Sequence, residues 1–289
     1  MKTLLLGANG MLGSMTKKVL AKQNRMAIVS TSTDGKDGNL LFNVLTDSIH
    51  DLLEEIKPDF VVNAIGVIKP RIHEKSSKSV SEAISVNSLF PHLLNQAAKV
   101  HDIFTIQIAT DCVYSGTDGN YTESSSHDAL DVYGKSKSLG EVHSENFLNI
   151  RSSIIGPEVG RSQSLLEWFK SQDGSKRLQG FSNHMWNGVT TLQFAKVCSS
   201  IILQGAKMSG TFHFVPANIV SKYDLLQTLN KEYCGGQRNI DSITISPAVD
   251  RTLSTNFHDT NEMLWSLAGY ERVPTVEEMV EELAHFSAE

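Results

Sequence analysis

Tyr133 and Lys137 stand four residues apart in "DVYGKSKSLGE", residues 131–141. On a helix that spacing puts both side chains on one face. A free phenol, with a pKa of about 10, exchanges protons poorly near neutrality. An ammonium close by stabilises the phenolate and lowers that pKa, which suits the tyrosine to act as a general acid. Lys135, between them, lies roughly 200° round the helix from Tyr133 at about 100° per residue, so it should face solvent.

A second chemical feature opens the chain. Gly7, Gly10 and Gly13 follow the apolar run "TLLL" and lead into a helical pattern. In a strand–loop–helix unit one such glycine allows the tight turn, one lets backbone approach a pyrophosphate, and one packs helix against strand. The free N–H groups of the helix N-terminus then face the phosphates.

The remaining pattern supplies the elements that would hold these features in place. "RMAIVST", "FVVNAIGVI", "IFTIQIAT" and "NFLNIRSSIIG" read as apolar strands. "IHDLLEEI", "SVSEAISVNSLFPHLLNQAAKV", "GVTTLQFAKVCSSIILQ" and "VPTVEEMVEELAHF" have helical spacing, the second despite Pro91, and the segment 129–147 is expected to be helical. Strands apolar on both sides and alternating with helices predict a parallel sheet covered on both faces, doubly wound by right-handed crossovers. "GTFHFV" is expected to rejoin that sheet. With 40% hydrophobic and 20% charged residues the chain is ordinary for a water-soluble globular protein of 289 residues. A net charge of −6 offers no basic field for nucleic acid. Cys112, Cys198 and Cys234 have no metal-ligand spacing and make a disulfide framework improbable, which fits a reducing cytoplasm. The apolar run before Gly7 is too short for a signal peptide, and no stretch has membrane-spanning length. The ten histidines form no recognisable metal motif.

The glycine spacing resembles that of the extended branch of the short-chain dehydrogenase/reductase superfamily. "NAIG", Asn63–Gly66, resembles its Asn-Ala-Ala-Gly stretch along the adenosine and ribose. Asn43 stands where that branch usually has an Asp at the adenine, and Asn87 in "SVNSLF" resembles the Asn of the helix behind the active site. "IATDCVYSG", residues 108–116, resembles the Ser-Thr-Asp-Tyr-Val-Phe-Asp-Gly stretch of dTDP-4-dehydrorhamnose reductases. Residues 132–141 resemble their Val-Tyr-Gly-x-Ser-Lys-x-x-Gly-Glu, and "DRTLSTNF", residues 250–257, resembles their Arg-Pro-x-x-Ser-x-Leu segment. The resemblance is strong through residue 157 and thin from 158 to 249.

That resemblance implies an α/β, Rossmann-like doubly wound parallel sheet with a smaller C-terminal substrate-binding domain. Residues 1–156 would form the dinucleotide-binding domain, with 188–215 rejoining it; 157–187 and 216–289 would bind substrate. Thr110, Tyr133 and Lys137 would be catalytic. Gly7, Asn9, Gly10, Met11, Leu12 and Gly13 would cradle the cofactor phosphates. Ser30, Thr31, Asn43, Asn63, Ala64 and Gly66 would line its adenosine half, and Asn87, Tyr133 and Lys137 its nicotinamide half. Asp111, Cys112, Trp186, Asn187 and Arg251 would meet substrate. Trp186 and Asn187 read equally as a packing tryptophan and a capping asparagine, and Arg251 as a solvated arginine.

The implied reaction is NAD(P)H-dependent reduction of the keto group of a nucleotide-linked 4-keto-6-deoxy sugar, for polysaccharide precursor synthesis. Cys112 replaces the Glu of dehydratases and the Tyr of the reductases. The alternatives are an epimerase or dehydratase of the same superfamily, or a non-catalytic NADP-binding regulatory subunit. The tip of the second strand, Ser30–Ser32, carries hydroxyls and no carboxylate, with Arg25 and Lys36 near in sequence. NADP(H) is therefore preferred over NAD(H). A shift of the strand end by about two to four residues would bring Asp34 to the ribose and reverse that order. A homodimer is among the assemblies left open.

Overall fold

The computed structural model describes residues 1–160, 164–174 and 176–288. The chain begins with β1 (Lys2–Leu6), α1 (Met11–Ala21), β2 (Ala27–Ser32), β3 (Leu40–Leu41), α2 (Ile49–Ile56) and β4 (Phe60–Asn63). It continues with α3 (Ser77–Ile84), α4 (Phe90–Val100), β5 (Phe104–Ala109), α5 (Val132–Leu139) and β6 (Phe147–Arg151). The later part carries β7 (Ile154–Ile155), α6 (Leu165–Ser171), β8 (Leu178–Phe181), β9 (His184–Trp186), β10 (Val189–Thr190), α7 (Thr191–Gln204) and β11 (Gly210–His213). Last come β12 (Val220–Ser221), α8 (Lys222–Cys234), β13 (Ile240–Ile243), β14 (Val249–Asp250), α9 (His258–Leu267) and α10 (Val276–Ala288).

Seven strands form one parallel sheet in the order β3-β2-β1-β4-β5-β6-β11. The chain reverses its direction of travel at β1 and β4, the switch point where open α/β sheets bind ligands beyond the strand ends. Alternation along β1 shows why both faces are covered. Leu5 packs with Leu12, Met15 and Val19 of α1, while Leu4 and Leu6 pack with Leu53 of α2 and Phe90 and Leu94 of α4. Each of the three leucines is fully buried. β11 joins the far edge beside β6, Gly210 opposite Leu148.

Local features depart from the sequence expectations. β3 is two exposed leucines with no alternation to betray it, paired only by Thr31↔Leu40 and Ser32↔Leu41. The helical run through Pro91 is continuous because Ser85–Leu89 widens into a π-helical segment just ahead of it. α5 covers only part of the expected helix and stops at Gly140. α7, read as amphipathic, is buried on nearly every face because it lies between α1 and α9.

A smaller three-stranded sheet, β12-β9-β14, lies outside the main one. Its centre, β9, ends at Trp186; β12 leads directly into Lys222 and β14 into Arg251. Among the described residues no helix is long and apolar enough to cross a membrane.

Candidate active site

The glycine loop divides its labour by position. Gly7 adopts a φ of +84°, which L side chains rarely take. A Cβ on Gly13 would lie 2.0 Å from the Gly7 carbonyl oxygen, so α1 can reach the loop only without a side chain there. Gly10, with an ordinary φ of −77°, would direct a Cβ into space bounded only by the Gly7 oxygen at 3.5 Å. No side chain caps α1, and Met11 and Leu12 form its first turn. Bare N–H groups beside an open glycine fit a dinucleotide pyrophosphate.

Beside this loop Ser30 and Thr31 do not present their hydroxyls at a ribose. Ser30 Oγ donates to Asn39 Oδ1 (2.7 Å), and Thr31 Oγ1 accepts the Gly7 N–H (3.4 Å); both side chains are buried. They brace the loop, Thr31 through the Gly7 N–H and Ser30 through Asn39, whose Nδ2 in turn donates to Asn9 Oδ1 (3.0 Å). Past them, Asn9, Ser32 and Asp34 meet at the strand tip. Asn9 Nδ2 (3.0 Å) and Ser32 Oγ (2.7 Å) both donate to Asp34 Oδ1. The Ser32 hydroxyl, then the Lys36 N–H, hold the Asp34 carboxyl below its usual range. Asn43 shapes the turn after β3, where its Oδ1 accepts the Leu45 N–H (3.0 Å). Asn63, expected at the adenosine, is instead committed to the sheet. Its Nδ2 donates to Gln107 Oε1 (2.8 Å) and its Oδ1 accepts the Ile65 N–H (3.2 Å). The Ala64 N–H continues the β1–β4 pairing to Leu6 O (3.1 Å). Gly66 faces Asn87, whose amide brackets both backbone groups of Val67 (2.8 and 2.9 Å) and donates to Ser136 Oγ (3.1 Å). Asn87 thus joins the β4 loop to α5.

Two glycines and an amide row fix α5. A Cβ on Gly134 would lie 2.3 Å from Cys112 O, and one on Gly140 1.8 Å from Asn87 O. These close approaches seat the helix on the short turn Asp111–Val113 and on the π-helical segment. Asn63, Gln107, Asn149 and Thr211 occupy one register across β4, β5, β6 and β11 and are linked side chain to side chain. Gln107 Nε2 also donates to Gly140 O (2.8 Å), and Asn149 Nδ2 to Val142 O (2.8 Å). The end of the helix is therefore tied to four strands.

Tyr133 and Lys137 stand on this helix facing the end of β5. Lys137 is buried, and Nζ donates to Ile108 O (3.0 Å). Burial pulls its pKa down to about 8, against the opposing pull of Glu141. The Tyr133 phenol is pushed up first by burial and then by Cys112, with the Thr110 hydroxyl opposing the rise. The net shift is upward, opposite to the lowering expected from an adjacent ammonium, because burial outweighs the groups that oppose it. The phenol consequently keeps its proton near neutrality, the form a general acid needs. Thr110 Oγ1 accepts the Cys112 N–H and donates to Asp111 Oδ1, each at 3.2 Å. Burial raises Asp111, opposed by Arg251 and then Lys222. Burial likewise pushes the Cys112 thiol up to about 12, so it is no nucleophile at neutral pH.

The residues expected at the substrate divide. Asp111, Cys112 and Arg251 share one electrostatic neighbourhood. Arg251 Nε donates to Tyr114 O (3.0 Å). Trp186 is buried in the core, its Nε1 donating to Ser153 Oγ (2.9 Å). Asn187 uses its amide on both backbone groups of Leu253 (2.6 and 2.9 Å). Both hold the segment between β9 and β10 in place through these bonds. Sequence reasoning missed Lys222. Its ammonium lies 5.3 Å above the Trp186 ring, and burial pulls its pKa down to about 8. "SKYD" marks a helix start, which the structure forms as a capping box, but nothing local announces its proximity to Asp111.

A second polar cluster lies near α5. Arg151 donates Nε to Glu141 Oε1 (3.0 Å) and Nη2 to Glu141 Oε2 (2.6 Å). It also reaches Tyr114 Oη and His213 Nε2 (both 2.7 Å) and His127 Nε2 (2.9 Å). Among the described residues no group of three or more His, Cys, Asp or Glu could hold a metal ion.

A family profile described as RmlD substrate binding domain matches residues 1–253. The chain is 27% identical over 232 residues to a dTDP-4-dehydrorhamnose reductase of Aggregatibacter actinomycetemcomitans, covering 77% of this chain and 76% of that protein. It is 24% identical over 265 residues to methionine adenosyltransferase 2 subunit beta of Rattus norvegicus, covering 86% and 77%. Its fold matches the crystal structure of dTDP-4-dehydrorhamnose reductase from Bacillus anthracis in complex with NADP. That match has a TM-score of 0.76 at 17% identity and covers 100% of this chain and 99% of the other.

Proposed function

The chain belongs to the family of the RmlD substrate binding domain, and from that premise we propose that it reduces the keto group of a nucleotide-linked 4-keto-6-deoxy sugar. The observation that carries this reading is the convergence of Thr110, Tyr133 and Lys137 at the β5 end of the sheet that also bears the glycine loop. The similarity to reductases supports it. Gly7, Gly10, Gly13 and the first turn of α1 would hold the pyrophosphate, with Asn9 and Asp34 near the adenosine ribose. Bound NADPH supplies a hydride.

The substrate carbonyl oxygen would sit between the Thr110 hydroxyl and the Tyr133 phenol. As the carbonyl carbon accepts the hydride, the oxygen takes the phenolic proton and C=O becomes CH–OH. Lys137, largely ammonium below pH about 8, would neutralise the phenolate left behind and bind the nicotinamide ribose. Thr110 positions the oxygen, and the raised thiol of Cys112 stands where a dehydratase carries its acid–base Glu. That argues against a dehydratase, which needs such a group.

For the cofactor we propose NADP(H) first and NAD(H) second. The Asp34 carboxylate narrows that preference, because it would repel a 2′-phosphate. Residues 1–156 with 188–215 would form the cofactor-binding part, and the rest the substrate-binding part, of a cytoplasmic enzyme. The test is NADPH oxidation with a panel of dTDP-, UDP-, GDP- and CDP-linked 4-keto sugars. Turnover with one class is expected. Binding of cofactor without turnover across the panel would favour the second reading, a regulatory subunit, for which the likeness to methionine adenosyltransferase 2 subunit beta speaks.

A further inference from the structure

Two cations beside the candidate site form no ion pair among the described residues, although Arg251 acts at longer range on Asp111, Asp128 and Asp131. Arg251 spends Nε on the Tyr114 carbonyl, and its terminal nitrogens make no hydrogen bond among the described residues. The Lys222 ammonium makes none either and rests above the Trp186 ring. Both act on Asp111, yet Asp111 forms no ion pair with either, and Arg251 also acts unfavourably on Lys222. Two like charges held half-buried and unpaired cost free energy that an anion would recover.

Their placement says which anion. On one side of Lys222 stand Asp111 and Cys112, the residues that follow Thr110 in the chain. On the other, Lys222 helps line a cavity of about 570 Å³ together with Trp168, Leu178, Phe181, His184 and Leu226. An aromatic and aliphatic cavity of that size suits a nucleoside. A sugar at Thr110 and a base in this cavity would leave the linking diphosphate at Lys222.

We propose that Lys222, with Arg251, clamps the diphosphate joining sugar to nucleoside, so that Lys222 is a substrate-binding residue. The proposal rests on the nucleotide-sugar reading above and adds a residue to it. The test is calorimetric titration of NADPH-saturated protein with dTDP, UDP, GDP and CDP, and with the parent nucleosides. At least one diphosphate should bind. Lys222→Met should weaken it by about ten- to a hundredfold, the range of a hydrogen bond to a charged group, with a smaller effect on the parent nucleoside and none on NADPH affinity. Lys222→Arg should restore most of the loss. Equal diphosphate affinity in wild type and Lys222→Met, or no diphosphate binding by wild type, overturns the clamp. The reductase reading fails separately, by absent turnover of keto sugars in a protein whose diphosphate binding still depends on Lys222.

Discussion

Two buried polar clusters near α5 are built from similar residue types. Around Arg151 every strong group has its partner. Glu141 takes a bidentate pair of bonds, and the Nε2 atoms of His127 and His213 accept from the same guanidinium. Each histidine therefore carries its proton on Nδ1, which donates to Ser138 Oγ (2.6 Å) in His127 and to Ser254 O (2.5 Å) in His213. Burial, then Arg151, drives the His213 pKa down to about 4, so it stays neutral in that hub. Around Tyr133 the bookkeeping is incomplete. Lys137 and Lys222 are both pulled to about 8, Asp111 is raised, and among the described residues neither Lys222 nor Arg251 forms an ion pair. A satisfied cluster holds elements together, whereas an unsatisfied one waits for a ligand.

Substitutions in the two clusters should therefore fail in different ways. The largest effect is expected for Tyr133→Phe, which removes only the proposed proton donor. Its kcat should fall by about 10²–10⁴-fold with thermal stability and NADPH affinity near wild type. A variant keeping more than about a tenth of wild-type kcat would remove Tyr133 from the chemistry. Arg151→Met should do the opposite. It strands the Glu141 carboxylate in the interior and should cost about 3–5 kcal/mol in urea unfolding. A loss below about 1 kcal/mol would show that the hub is not a scaffold.

Much of this contrast was hidden from the sequence, for a physical reason. The glycine loop and the Tyr133/Lys137 pair are legible because their geometry is local: one turn of loop, one turn of helix. Gly134 and Gly140 are visible in the same motif, though the atoms that require them, Cys112 O and Asn87 O, are not. Arg151, Glu141 and His213 gain their meaning only when β6, α5 and β11 are adjacent, and Lys222 only when a second small sheet folds over Trp186. Ser30 and Thr31 were placed at the right strand end but are buried, their hydroxyls bonded to Asn39 and to the Gly7 N–H. Asn63 and Asn87 are legible as polar residues near the site, but their bonds to Gln107, Val67 and Ser136 are not, since those partners lie 20 or more residues away.

Smaller effects sharpen the unsatisfied side. Lys137 has its pKa lowered from 10.5 to about 8, so its charge is present below that pH and lost above it. kcat should decline as pH rises through about 8, while Lys137→Arg, always charged, should lack that limb whatever its absolute rate. An unchanged limb in Lys137→Arg would assign the titration elsewhere. Asp34→Ala should move the kcat/KM ratio toward NADPH over NADH by about tenfold, by removing a carboxylate from beside the ribose site. No change in the ratio would mean that Asp34 does not meet the cofactor.

The most direct test follows the hydrogen itself. NADPH carrying deuterium at the transferable nicotinamide position is incubated with the protein and the keto sugar that gives turnover, and the sugar product is examined by NMR. The expected result is one deuterium on the former carbonyl carbon for each cofactor oxidised, at a rate collapsed in Tyr133→Phe. A sugar recovered unlabelled, with cofactor and sugar both bound, would contradict a catalytic role for the Thr110–Tyr133–Lys137 site.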